Sequence, residues 1–179
     1  MTVNMALCAA AILSCVTLSA AYAQAPKTLS KNSVEKYYAE LAGIFKKPLP
    51  DFLKQYEQRI HPNLTYVSKT ALIVPNQPRM ESKPVLITKP DLVANGERTY
   101  NAAKGATLIN DVQSVTIAPD GLTAMVKNLS TVKGMNFPTS DGSPMKADST
   151  EVCDDVVALN EGVVQILKSD CATEITIHQ

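Results

Sequence analysis

Near Gly105 the apolar pattern of this chain switches from a helical period to an extended one, and the switch divides the fold into two halves. Upstream, Val34, Tyr37, Tyr38, Leu41, Ile44 and Phe45 recur at helical spacing. Asn32 and Glu35 have capping-box spacing at the start of that helix, and Pro48 and Pro50 end it. Asp51 is placed to cap a second helix with Phe52, Leu53, Tyr56 and Ile60 on one face, stopped by Pro62. Asn63–Val74 is β-branched and aromatic and reads as a strand; Pro75–Pro84 is a loop, with a short strand over Val85–Ile87. Thr88 caps a third helix with Pro90 in its first turn; Gly96 weakens that helix, and Gly105 ends it. Downstream, Thr107–Ala118 and Leu122–Val132 are strands joined through Pro119-Asp120-Gly121. Lys133–Thr150 reads as a long polar loop. Glu151–Leu159 and Val163–Ile177 then form a last hairpin around Asn160-Glu161-Gly162. Helices followed by an antiparallel meander predict an α+β fold with the helices packed on one face of the sheet.

The four cysteines fall into two pairs. Cys153 and Cys171 flank the last hairpin at nearly equal distance from its turn. Provided no bulge intervenes, their matching odd numbers place both side chains on one sheet face, so a disulfide is predicted. Buried free thiols are the alternative. Catalytic redox use is disfavoured, because no Cys-x-x-Cys occurs. Cys8 and Cys15 lie in an apolar, uncharged stretch within Met1–Ala23. That stretch suits a signal-peptide core and is too short for a membrane span, which takes about 20 apolar residues. Ala21-Tyr22-Ala23 presents small residues at both positions a signal peptidase reads, predicting cleavage before Gln24. A looser lipobox reading of Ile12-Leu13-Ser14-Cys15 competes. The expected organisation is a cleaved leader over 1–23, a flexible lead over 24–31 and one domain over 32–179. The expected location is exported, periplasmic or extracellular, with no membrane span left after cleavage.

Basic and acidic residues balance at 17 each, without runs of like charge, so no field favours nucleic acid or an anionic membrane. Trp is absent and aromatics are few, which argues against a stacking platform for bases.

The order helix, helix, strand, helix and long antiparallel sheet resembles the nuclear transport factor 2-like, cystatin-like cone superfamily. That group includes ketosteroid isomerases and polyketide-cyclase-type proteins. Ile87-Thr88-Lys89-Pro90-Asp91-Leu92-Val93-Ala94-Asn95 is similar to the entry into the third helix of that fold. A cystatin-like sheet around a single helix is the nearest rival. The resemblance implies N-terminal helices closing over a curved, mainly antiparallel, cone-shaped sheet with a cavity between them. It does not choose a function, because family members serve as enzymes, small-molecule binders, dimer modules and parts of envelope secretion machines.

In the family's isomerases a carboxylate base and an acid donor, often Tyr, work inside the cone. Asp111 interrupts an apolar strand and is the candidate base; Tyr38 and Tyr66, near the helical lid, are candidate donors. The competing reading of Asp111, Asp154 and Asp155 is that each faces water or a strand edge. No family catalytic motif maps onto these positions. The two histidines, His61 and His178, are too few for a His-based metal cluster, and no metal or cofactor is expected. Asn63-Leu64-Thr65 and Asn128-Leu129-Ser130 match the glycosylation sequon but fall in predicted strands.

The leading reading is an exported domain that binds a small apolar ligand or a protein partner without catalysis. One alternative is an isomerase, cyclase or hydratase acting on a small apolar substrate in the cone. Another is an assembly component of a cell-envelope or secretion complex, with Lys133–Thr150 as contact element. A homodimer is compatible with each. Expression in an exporting bacterial host should yield a protein whose intact mass begins at Gln24; recovery of only the full-length chain, in the cytosol, would contradict the leader reading.

Overall fold

The computed structural model describes residues 27–138 and 144–178, so the predicted leader and the first part of the lead lie outside the described residues. Helix α1 spans Lys31–Ile44. Its cap is Ser30, not Asn32: Ser30 Oγ accepts from the Ser33 N–H at 3.1 Å, and Ser33 Oγ accepts from the Ser30 N–H at 2.9 Å. The start is set by tertiary contact. Leu29 is buried and its N–H donates to the Gly121 carbonyl at 2.7 Å, fixing the chain just before the helix. Glu35, expected in the capping box, instead pairs with Lys31 one turn earlier.

Helix α2 covers Leu49–Gln58, with Pro50 in the first turn, where its missing N–H costs nothing; Asp51 lies inside that turn and is not the cap. Pro62 does not stop this helix. It falls within strand β1, Ile60–Ile73, at the pairing irregularity between Ile60 and Thr65. After β2 (Met80–Glu81) and β3 (Val85–Ile87), Thr88 opens the next helix as expected: its N–H and Oγ1 both donate to Asp91 Oδ2. The expected third helix is two, α3 over Lys89–Ala94 and α4 over Gly96–Ala103, broken at Asn95. Gly96 marks a close approach there. A Cβ on it would come within 2.9 Å of Leu53 Cδ2, so a larger residue would push that side chain aside where α4 packs on α2.

Strands β4 (Thr107–Ile117), β5 (Thr123–Pro138), β6 (Pro144–Asn160) and β7 (Val163–His178) form the expected meander. The sheet order is β2-β1-β7-β6-β5-β4, with β3 also on β1. Pairing is antiparallel except between β1 and β7, which run parallel. The result is the expected α+β fold: helices followed by an unclosed, curved, mainly antiparallel sheet. Among the described residues no helix is long and apolar enough to cross a membrane.

Most of the predicted Lys133–Thr150 loop is strand. β5 and β6 pair beyond Val132 out to Pro138 and Pro144, past a bulge where Gly134 adopts φ +78° and donates its N–H to Asp148 Oδ1 at 2.8 Å. Lys133, Lys146 and Thr150, among the polar residues that suggest a loop, are exposed on this paired ribbon.

Bulges decide which residues face the helices. Each adds one residue to one strand, bends the sheet and reverses the alternation beyond it. On β4 the extra residue is Gln113: Leu108, Asn110 and Val112 face inward before it, Val115 and Ile117 after it. On β7 it is Leu167, because Val157 pairs with Ile166 while Val156 pairs with Lys168. The turn at Glu161 (φ 50°) and Gly162 (φ 78°) is the tight primed type. Counting straight back from it would set Asp170 opposite Cys153; the extra Leu167 brings Cys171 there instead. The two cysteines are joined as predicted, with Cα atoms 4.2 Å apart, through a bulge the sequence argument had assumed absent.

Unreduced peptide mapping should recover Cys153 and Cys171 as one linked pair. Cys171→Ala should destabilise the fold by about 2–5 kcal/mol in denaturant titration. Two freely alkylated thiols in protein from an oxidising compartment would contradict the crosslink.

Candidate functional site

The inward side chains of the sheet lie in rows, because paired residues point the same way. One row is polar from end to end: Asn110 on β4, Ser130 on β5, Glu151 on β6, Thr173 on β7 and Thr70 on β1, each opposite the next. The next row towards the Pro138–Pro144 end of β5 and β6, Leu108, Val132, Ser149 and Ile175, is mostly apolar. On the other side the disulfide and Asn128 form a row of their own. Beyond them lie Val115, Val126, Asp155, Ser169 and Tyr66.

Two acids therefore stand four residues apart on the same face of β6, one on each side of the disulfide. Both are held by a tyrosine and a hydroxyl. Asp155 is 4% exposed; its Oδ2 accepts from Tyr38 OH at 2.6 Å and its Oδ1 from Ser169 Oγ. Burial raises the Asp155 pKa above its ordinary 3.8, against the opposing pull of those two hydrogen bonds. Tyr38 is also buried, and burial first, then the neighbouring Asp155 charge, pushes its hydroxyl far above the ordinary tyrosine value, so it stays a donor. Glu151 differs. Its Oε1 accepts from Tyr66 OH and from Thr173 Oγ1, both at 2.8 Å, and among the described residues no donor reaches Oε2. Burial, reinforced by Glu151, keeps the Tyr66 hydroxyl protonated as well.

Glu151 lines a cavity of about 940 Å³ between the helices and the sheet. Asn110, Ser130, Glu151 and Thr173 of the polar row form its floor, and Leu41, Phe45 and Tyr100 of the helices close it from above. Beside it Phe52 packs between Phe45, Tyr56 and Tyr100 at centroid distances of 4.8, 5.2 and 5.1 Å, which joins the helices into one aromatic cluster. The floor is ordered by a chain of hydrogen bonds. Asn128 Nδ2 donates to Ser130 Oγ, Ser130 Oγ to Asn110 Oδ1, and Asn110 Nδ2 to the Tyr38 carbonyl.

The structure does not bring Asp111 together with Tyr38 and Tyr66. Leu108, Asn110 and Val112 take the inward positions of β4, so Asp111 lies on the other face with Ile109, and both are exposed. The strand looked apolar around Asp111 because Ile109, 54% exposed, is apolar yet outward. Tyr66 reaches the cavity floor through Glu151; Tyr38 is bound to Asp155 in the sealed part of the core. Asp154, the neighbour of Asp155, is exposed beside Lys127. Glu151 is not legible as a site residue from the sequence, because it stands at the first position of the predicted strand; with β6 beginning at Pro144, it lies mid-strand. His61 Nδ1 accepts from the Asn63 N–H, and His178 lies 3.1 Å from Asp148 at the sheet surface. Glu151, Cys153 and Cys171 cluster tightly enough to suggest metal ligands, but the sulfurs are spent in the disulfide and carry no thiolate.

No protein-family model matches the chain, and no curated protein resembles it in sequence. Among solved structures it is similar to a protein from Novosphingobium aromaticivorans, provisionally described as a scytalone dehydratase, with TM-score 0.52 and 9% identity over 83% of each chain. The overall fold is shared with that protein. An NTF-2 like protein of unknown function from Shewanella oneidensis is also similar, with TM-score 0.48 and 12% identity over 79% of this chain and 97% of that one. At these identities the likeness is one of fold, so the chemistry of the cone has to be read from this chain's own residues.

Asp155 gives the core a pH dependence whose sign follows from its raised pKa. The stability it contributes is full below about pH 3.8 and is lost as pH rises through the folded pKa. The acids with lowered values, such as Glu40 and Asp148, act in the opposite sense, so the comparison must be with Asp155→Asn. Urea titrations should show the wild type losing stability relative to that variant as pH rises above about 4. A relative gain over that range would contradict the raised value.

Proposed function

We propose that this chain is an exported domain that binds a small, largely apolar ligand in its cone and orients it through Glu151. The observation that carries the reading is a cavity of about 940 Å³ with apolar walls and a carboxylate in its floor. One carboxylate oxygen is fully engaged by Tyr66 and Thr173, while the other has no donor among the described residues. The volume lies within the range of roughly 300–1,000 Å³ usual for small-molecule sites. Tyr66 and Thr173 fix the carboxylate in place, so a ligand hydroxyl or amide N–H meets a preorganised acceptor and need not order it. A disulfide-bonded domain with no membrane-crossing helix among the described residues is compatible with export, and the apolar leader motivates it.

A second reading, an isomerase or dehydratase, is favoured by the same carboxylate. An anion held beside a protonated tyrosine in an apolar cavity is a candidate proton acceptor, with Glu151 and Tyr66 in the roles the sequence had offered to Asp111 and a tyrosine. The assembly reading names Lys133–Thr150 as its contact element, and most of that stretch is paired strand rather than loop.

A neutral environment-sensitive dye such as Nile red should brighten on binding the oxidised protein, and decanol should displace it. Leu108→Trp, which narrows the cavity, should weaken both effects. Glu151→Gln should weaken decanol by about tenfold or more, the usual worth of a hydrogen bond to a charged group. Dye binding unaffected by Leu108→Trp would overturn the cone as the binding site. Turnover of a hydroxylated substrate that vanishes in Glu151→Gln while its binding persists would put the enzyme reading first.

A further inference from the structure

The cavity is charged unevenly. Among the described residues its one acidic lining residue, Glu151, comes from the sheet, while its lining cations, Lys46, Arg98 and Lys104, all come from the helical side. All three are exposed at the opening, and none makes a side-chain hydrogen bond or ion pair among the described residues. The neighbouring acid Glu97 does not line the cavity. In a chain with no net charge, this gathers positive charge around one mouth.

Helix ends account for part of the pattern. Lys46 follows the C-terminus of α1 and Lys104 is the C-cap of α4, where cations offset the negative end of the helix dipole. They do not account for Arg98. It lies in the first turn of α4, where the dipole disfavours a cation, yet it faces the opening. Local helix energetics would put an acid there.

Resting on the binding reading above, we infer that the ligand is an apolar carboxylate, a fatty-acid-like molecule with its chain inside the cone and its carboxylate at the mouth among Lys46, Arg98 and Lys104. The chain fits walls made of residues such as Phe45, Leu108, Val132 and Met135. Glu151 sets the direction: a ligand anion beside that carboxylate would be repelled, so the charged end stays at the helical rim. Arg98 offers the planar fork that pairs with a carboxylate through two parallel hydrogen bonds. Each cation is exposed and contributes little alone, so the preference comes from their convergence and is sensitive to salt.

Binding of decanoate, decanol and decylammonium to the oxidised wild-type protein, measured by calorimetry and dye displacement, tests the assignment. Decanoate should bind at least about fivefold tighter than decanol at low salt, and tighter than decylammonium. Raising NaCl from about 20 mM to about 300 mM should erode the decanoate advantage and leave decanol unchanged. In Lys46→Gln/Arg98→Gln/Lys104→Gln, decanoate affinity should fall to that of decanol. Equal affinities for decanoate and decanol in the wild type, or tighter decylammonium, would overturn the carboxylate assignment while leaving the cone as a binding site. A wild-type protein that binds none of the three would overturn the binding reading and this inference together.

Discussion

The contact between Tyr38 and Asp155 joins the two layers of this protein. A carboxylate this deeply buried is costly without partners, and Asp155 has Tyr38 from α1 and Ser169 from β7. Tyr38 also accepts at its backbone carbonyl from Asn110 of β4, so one helical residue is tied to both β4 and β6. Around that joint Leu29, Val34, Tyr37, Ala124, Val126 and Val157 close the core. The helical layer is thereby pinned at one end of the sheet. Beyond the polar row its contacts give way to the cavity, and α4 and the aromatic cluster around Phe52 cover the opening.

Glu151 and Asp155 show how position on one strand separates a structural acid from a functional one. Both point inward from β6 and both accept from a tyrosine and a hydroxyl. Asp155 spends both oxygens on those donors and is sealed by α1. Glu151 receives both donors on a single oxygen, which fixes its orientation and leaves the other oxygen to the cavity. The disulfide between their rows holds β6 against β7 where the two acids must keep their hydroxyl donors, Ser169 and Thr173, both from β7.

The bulges make this arrangement possible. Without Gln113 as an extra residue, the inward set of β4 could not run from Asn110 at the polar row to Val115 and Ile117 in the core. Without Leu167, Cys153 would face Asp170, and the donors to both acids would point to the outer face. A single added residue on a strand thus decides which chemistry a whole row presents.

Much of the architecture was legible in local sequence. The change of period near Gly105, the Thr88 helix entry with Pro90, the tight turn at Glu161-Gly162 and the two cysteines around it all correspond to features of the fold. Each rests on near neighbours: a backbone angle, a capping hydrogen bond or a short hairpin count. The site was not legible in this way. Strict alternation put Asp111 inside, and a polar stretch read as loop hid that Glu151 is mid-strand. Tyr38 meets Asp155 across 117 residues, Tyr66 meets Glu151 across 85, and β1 lies parallel to β7 by a pairing no local pattern encodes. The sequence by itself determined the order of elements and their turns, because those depend on each residue's own conformational preferences. Only the tertiary structure decided which face is inside and which acid keeps a free oxygen, because bulge register and long-range pairing are settled when the helices and sheet pack together.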